Sequence, residues 1–132
     1  MLAVNVVESL KQIAQGMDFS LTQADRQLHS RDQSSHTAVL PDAVVWPKNT
    51  EQVSAIVRFA HENSIPIVGW GAGSSLEGNP IPVKGGIVIN FQRMNNILQV
   101  HAEDFQVTVQ PGIFYKDMNR QLAQYGLFFA PD

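Results

Sequence analysis

The sequence predicts an α+β fold of α/β-like character: a small mixed sheet flanked by helices and preceded by two N-terminal helices. Three observations predict it. The β-branched run Ala43-Val44-Val45-Trp46 is followed by a helix-period stripe at Val53, Ile56, Val57 and Ala60, then by Ile67-Val68-Gly69, which together read as β-α-β. A second buried-type strand, Gly86-Ile87-Val88-Ile89-Asn90-Phe91, follows a passage in which Pro80 and Pro82 leave no room for a helix. Val107 and Val109 alternate with Thr108 and Gln110, the pattern of a strand with two unlike faces.

Each element follows in order. Val4, Val7, Leu10 and Ile13 recur on a helical period that Gly16 ends. Thr22 and Asp25 resemble a capping box and open a second helix through Leu28. Residues 30–36 are polar and read as a linker, so residues 1–40 form an N-terminal helical extension and residues 41–132 the main domain. Pro47 closes the first strand of the β-α-β unit, Thr50 caps its helix, and Asn63, Ser64 and Pro66 end that helix. A helical crossover implies that the two flanking strands pair in parallel, within a sheet of about four to six strands. Residues 97–101 and 106–110 read as a hairpin turning at Ala102-Glu103-Asp104. After Pro111-Gly112, the side chains of Tyr115, Met118, Leu122 and Tyr125 set one face of a last helix, with Gly126 just past its end. Residues 127–130 begin a further strand.

Composition narrows the function classes. A chain of 132 residues with 44% hydrophobic and 16% charged side chains has the makings of one folded domain and not of a disordered segment. Its formal charge of −3 lacks the basic excess of a nucleic-acid binder. An anionic ligand must therefore be held by backbone dipoles more than by lysine and arginine. The absence of cysteine excludes disulfides, thiolate zinc sites and cysteine nucleophiles. No basic stretch precedes an apolar run at the N-terminus, and no apolar run is long enough to span a bilayer, so a cytoplasmic location is expected. His29, His36, His61 and His101 share no ligand spacing, so no metal site is expected. Asp18, Asp25 and Asp32 read as solvated charges, Trp46 and Phe59 as core, and Lys84 and Arg93 as surface. No Gly-x-Ser-x-Gly elbow is present, and no catalytic residue is nominated.

The chemistry-bearing feature is Gly71-Ala72-Gly73-Ser74-Ser75-Leu76-Glu77-Gly78, with three glycines and two serines in eight residues after a strand of the β-α-β unit. A diphosphate must be met by several donors at close range. Glycines let successive N–H groups turn toward one point and carry no Cβ to hold the ligand away, while serines add hydroxyls. The position suits α/β folds, which bind ligands beyond the carboxyl ends of their strands. Two familiar phosphate loops are excluded. A P-loop needs a lysine after its last glycine, and none follows Gly78; a dinucleotide-binding Gly-x-Gly-x-x-Gly needs glycine where Leu76 stands. The loop must act as a nest of amides, with Glu77 turned away and hydrogen-bonded within the protein. A glycine-rich connection that only turns the chain remains the alternative.

The order of motifs resembles an FAD-binding domain of the para-cresol methylhydroxylase (PCMH) type, in the vanillyl-alcohol oxidase superfamily. The runs that carry the resemblance are Pro47-Lys48-Asn49-Thr50-Glu51-Gln52-Val53, Ile65-Pro66-Ile67-Val68, the glycine loop, Gly85-Gly86-Ile87-Val88-Ile89-Asn90, Arg93-Met94-Asn95-Asn96-Ile97, Val109-Gln110-Pro111-Gly112 and Gly126-Leu127-Phe128-Phe129-Ala130-Pro131-Asp132. They are most similar to the D-lactate dehydrogenase and glycolate oxidase FAD-subunit branch. The resemblance implies that Gly71, Ala72, Gly73, Ser74, Ser75 and Gly78 lie at the FAD diphosphate, with Trp70 and Asn79 at its edges and Pro131 and Asp132 near the flavin. The branch often has glycine where Ser75 stands, which asks that serine for a compatible backbone, and arginine or phenylalanine where Trp70 stands. It further implies non-covalent FAD and hydride transfer from a D-2-hydroxy acid such as D-lactate or glycolate. The second half of the FAD domain and the substrate cap are then expected outside these residues, leaving the chain alone inactive and prone to self-association, and the whole protein peripheral to a membrane. A related sugar or aromatic-alcohol oxidase, or a non-catalytic module for a phosphate-bearing ligand, stays open as an alternative.

Overall fold

The computed structural model describes residues 2–130. Helix α1 (Val4–Ile13) leads to a short strand β1 (Asp18–Ser20) and a six-residue helix α2 (Gln23–Leu28). Strand β2 (Ala43–Trp46), helix α3 (Thr50–Glu62) and strand β3 (Ile67–Trp70) follow as expected. Strand β4 (Ile87–Asn90), the hairpin strands β5 (Ile97–His101) and β6 (Gln106–Val109), and helix α4 (Tyr115–Leu122) complete the order. The mixed α+β architecture matches the expectation from sequence.

The main sheet has the order β1-β2-β4-β3, and β5 with β6 forms a separate two-stranded sheet. Here the topology departs from the expected pairing. Strands β2 and β3 are parallel but not neighbours: each pairs with β4, Ala43 and Ile67 both lying opposite Ile87. The reason lies in the burial pattern. Every residue of β4 is buried, including Ile87 and Val88 at 0% exposure, whereas Ile67 and Gly69 on β3 are exposed. The strand apolar on both faces takes the centre, as central parallel strands do. Strand β1, which the sequence pattern did not reveal, adds antiparallel to the outside of β2.

The alternating residues of the central strands serve two layers. Ala43, Val45, Ile87 and Ile89 point to one side, where Leu10 and Ala14 of the α1 region, Met17, and Ile56 and Phe59 of α3 complete the main core. Val44 and Val88 point to the other side and pack with Trp70, joined by Trp46 and Val68. Residues 1–40 thus contribute a strand to the sheet and a helix to the core.

Helix α3 is capped by Asn49, whose Oδ1 accepts from the Gln52 amide at 2.9 Å, and Thr50 is the first helical residue. Thr22 does cap α2, accepting from the Asp25 amide, but Ser20 takes the Thr22 amide that a capping-box acid would receive. On α4 only Met118 and Leu122 of the expected stripe are buried, while Tyr115 and Tyr125 stay about half exposed. Residues 127–130 form no strand. Instead the Asn119 side chain mimics a strand partner, accepting from the Phe129 amide at 2.6 Å and donating to its carbonyl at 2.8 Å.

Candidate cofactor-binding site

Strands β2, β3 and β4 run parallel, so Trp46, Trp70 and Asn90 end at the same edge of the sheet. One side chain ties the three ends together. His29, 1% exposed, lies edge-on to Trp46 with ring centroids 5.5 Å apart and tilted against Trp70 at 4.8 Å. Its Nδ1 lies 2.7 Å from the Asp25 carbonyl and its Nε2 lies 2.8 Å from the Asn90 amide nitrogen. A carbonyl can only accept, so Nδ1 carries the proton and Nε2 accepts from Asn90. The buried imidazole therefore has both nitrogens satisfied.

The glycine loop leaves this edge from Trp70. Because β3 and β4 are parallel neighbours, the chain must travel back the full strand length before Ile87, and it does so without a helix. Buried Ile81 and Pro82 line the return. The first half of the loop sits over the Trp70 ring. Gly73 has φ +66° and lies so near that a Cβ there would stand 2.3 Å from Trp70 Cζ2. Among the described residues, no hydrogen bond occupies the amides of Gly71, Ala72, Gly73, Ser74 or Ser75. Five consecutive N–H groups are left open. Ser75 achieves this without a positive φ, which meets the demand made of a serine at that place.

The second half of the loop is committed to the protein. The Glu77 amide donates to Ser75 Oγ at 3.1 Å, and the Gly78 amide donates to Asp32 Oδ2 at 2.8 Å. Gly78, expected at the diphosphate, therefore offers it no amide. Glu77 also differs from expectation: its exposed side chain makes no hydrogen bond among the described residues, and the internal carboxylate is that of Asp32. Asn79 is exposed at the loop's end, and Pro131 and Asp132 lie outside the described residues.

Residues 29–36 thus form the loop's support and not a free linker. The Gln33 amide donates to the Ser75 carbonyl at 3.0 Å, and His36 packs where a Cβ on Gly78 would fall. Asp32, 7% exposed, accepts from the Ser34 amide and hydroxyl at Oδ1 and from the Gly78 amide at Oδ2, and it is also bonded to the Ser75 side chain. Burial works to raise its pKa, but the bonds from Ser34, Gly78 and Ser75 outweigh it and hold the carboxyl below its ordinary value of 3.8. Arg93 pairs with Asp18 at 2.9 Å on the β1 side.

A pH dependence follows from Asp32. A carboxylate whose pKa is lowered by folding stabilises the native state fully above its unfolded value, and that contribution is lost as pH falls through the folded one. The Gly78 and Ser34 amide resonances are expected to hold steady down to the ordinary carboxylate range and then titrate together below 3.8. Asp25 is also lowered, first by its bond from Ser20 and then by Thr22, so resonances of the Thr22 turn report it separately. A Gly78 amide that moves at or above the ordinary value would contradict the assignment.

The sheet, with its glycine loop at the carboxyl edge, is the PCMH-type FAD-binding fold. Solved alkyldihydroxyacetonephosphate synthase superposes with a TM-score of 0.85 at 25% identity, covering 100% of this chain and 27% of that one. p-Cresol methylhydroxylase shares the fold with a TM-score of 0.81 at 20% identity, covering 96% of this chain and 26% of that one. The chain belongs to the FAD binding domain family, which residues 41–132 match. It is 37% identical to a probable mitochondrial D-lactate dehydrogenase of Danio rerio over 96% of this chain and 26% of the relative. It is 38% identical to the glycolate oxidase subunit GlcD of Bacillus subtilis over 100% of this chain and 28% of the relative. The chain thus spans about a quarter of the length of these relatives. Among the described residues no helix is long and apolar enough to cross a membrane.

Proposed function

We propose that these residues form the diphosphate-holding first part of a non-covalent FAD site in an oxidoreductase that oxidises a D-2-hydroxy acid, either D-lactate or glycolate. The observation that carries this reading is the run of open amides from Gly71 to Ser75 at the carboxyl edge of a parallel sheet. Gly71 adds to it. Its φ is not in the left-handed region, and a Cβ there would meet nothing within 4 Å, so the protein itself has no need of glycine at that position. An incoming ligand does.

FAD, when bound, supplies the two-electron acceptor for hydride leaving the α-carbon of the hydroxy acid. The chain's own part is to hold and orient. Five backbone dipoles and the Ser74 hydroxyl offset the diphosphate charge without lysine or arginine, in keeping with the acidic composition. The Trp70 ring forms the floor of the loop; Trp70 and Asn79 are assigned to the edges of the diphosphate, and Pro131 and Asp132 to the neighbourhood of the flavin. The substrate class rests on the names of the two relatives, and the groups that grip substrate lie beyond these residues. We read the protein as cytoplasmic. The chain is read as inclined to self-associate through exposed Leu98, Phe105 and Phe128.

The test is titration of the chain with FAD, followed by flavin fluorescence and by amide resonances, beside Gly71→Ala. The expected result is shifts confined to residues 70–79 and 131–132, competition by inorganic pyrophosphate, and a Gly71→Ala variant of unchanged urea midpoint that binds FAD at least roughly tenfold more weakly. Sedimentation of the same samples reports self-association. Saturating FAD that leaves the Gly71–Ser75 amides unmoved would overturn the reading.

A further inference from the structure

The open amides raise a question of order. A stretch with three glycines between residues 71 and 78 has many conformations available, and binding must meet the cost of selecting one unless the protein has already done so. Nothing bonds the Gly71–Ser75 amides within the described residues, so their arrangement depends on what fixes the loop at its two ends. At one end Trp70, wedged against His29, supports Gly73 from below. At the other end the fixing groups come from a segment more than forty residues earlier in the chain.

We propose that Asp32 is a positioning residue for FAD: its carboxylate holds the Ser75–Gly78 half of the loop so that the five preceding amides are already arrayed before the cofactor arrives. This rests on the assignment of the loop to the diphosphate. Three features carry it. Asp32 divides its two oxygens between jobs: Oδ1 closes its own turn on Ser34, while Oδ2 accepts the Gly78 amide at 2.8 Å across a separation of 46 residues. Its neighbour Gln33 grips the same loop, donating to the Ser75 carbonyl at 3.0 Å, so loop and segment are joined at both Ser75 and Gly78. Finally, a carboxylate this near a diphosphate would repel it if bare, and this one is wrapped by donors from Ser34, Ser75 and Gly78. Asp32 touches no cofactor atom in this account; it acts through the backbone it restrains.

Asp32→Asn is the discriminating variant, since it keeps the volume and one acceptor oxygen for the Ser34 turn while replacing the acceptor that Gly78 uses. Asp32→Ala, which also opens the turn, is the harsher companion. Two readouts are taken on the chain: amide hydrogen exchange without ligand, and FAD affinity at a temperature where every variant is folded. For Asp32→Asn the Gly78 amide is expected to exchange at least roughly tenfold faster while the β4 amides keep their protection, and FAD affinity to fall roughly ten- to hundredfold. A Gly78 amide as protected as before, or accelerated exchange with undiminished FAD affinity, overturns the proposal. Failure of the parent chain to bind FAD at all is a different result. It strikes the assignment of the loop, whereas the exchange data still decide whether Asp32 holds Gly78.

Discussion

Gly86→Ala is expected to remove a large share of the stability that keeps the chain folded. Gly86 has φ +80°, and an added Cβ would stand 2.0 Å from the carbonyl oxygen of Pro66. That oxygen belongs to backbone, at the point where β3 and β4 begin their pairing, and it already accepts the Ile87 amide at 2.9 Å. Relief requires the start of one central strand to move. Gly86 also accepts from the Asp42 and Ala43 amides and donates to Asp42 Oδ2 at 2.8 Å, so the shift loosens β2 as well. A left-handed conformation costs an alanine about 1–2 kcal/mol, overpacking adds about 1–3 kcal/mol, and each disturbed hydrogen bond adds about 1 kcal/mol. The sum, about 3–6 kcal/mol, is a large share of the roughly 5–15 kcal/mol that holds an ordinary domain. Urea unfolding followed by circular dichroism checks this. A midpoint matching that of the parent would mean that the strand starts are far more pliable than their packing implies.

That prediction rests on a contact no sequence pattern displayed. Gly86 read only as the start of a buried-type strand and, with Gly85, as part of a family motif; the close approach to Pro66 exists because β4 inserts between β2 and β3. The strands themselves were legible, since Ala43-Val44-Val45 and Ile87-Val88-Ile89 are apolar runs with stiff side chains and clear boundaries. Their order was not. A β-α-β run fixes direction, and the neighbour is chosen by which strand has two apolar faces to hide, a comparison among strands and not a property of one. Strand β1 was hidden for a related reason: Asp18-Phe19-Ser20 has one apolar residue and is a strand only because the edge of β2 accepts it.

The site was half visible in the same way. Open amides were implied by Gly71, Gly73 and the absence of any lysine or helix to do the work. The support was missed because its residues are polar, and polar residues between periodic segments read as a solvated linker. His29, Asp32 and His36 became structural through contacts with Asn90, Gly78 and Trp70 far along the chain. One local signal existed. Asp32 followed by Ser34 has the spacing of an Asx turn, in which a side-chain oxygen takes the amide two residues on, and that bond is present at 2.9 Å. It marks a carboxylate with a structural task, though not what its second oxygen holds.

Gly73→Ala should separate loop support from general stability. Its φ is +66°, and the added Cβ would lie 2.3 Å from Trp70 Cζ2 and 2.9 Å from Cε2. The indole has nowhere to retreat: it is 6% exposed, packs with Val44 and Val88, and has the tilted His29 ring 4.8 Å away between centroids. The backbone must therefore lift off the ring, which scatters the Gly71–Ser75 amides of the proposed diphosphate site. Backbone strain and overpacking together give a loss of about 2–5 kcal/mol in stability, read as a lower urea midpoint. FAD affinity is expected to fall by at least roughly a hundredfold under conditions where the variant remains folded. Gly71→Ala, in the same loop but facing open space, should also weaken FAD binding, by at least roughly tenfold, without the loss of stability. The mechanism of the clash has its own check. Trp70→Phe removes the part of the ring that Cβ would strike, so the double variant should be less destabilised than the sum of the two single changes, because the cavity made by one accommodates the methyl of the other. Additive losses would mean that the ring does not set the loop's height, and the floor assigned to Trp70 would have to be sought elsewhere.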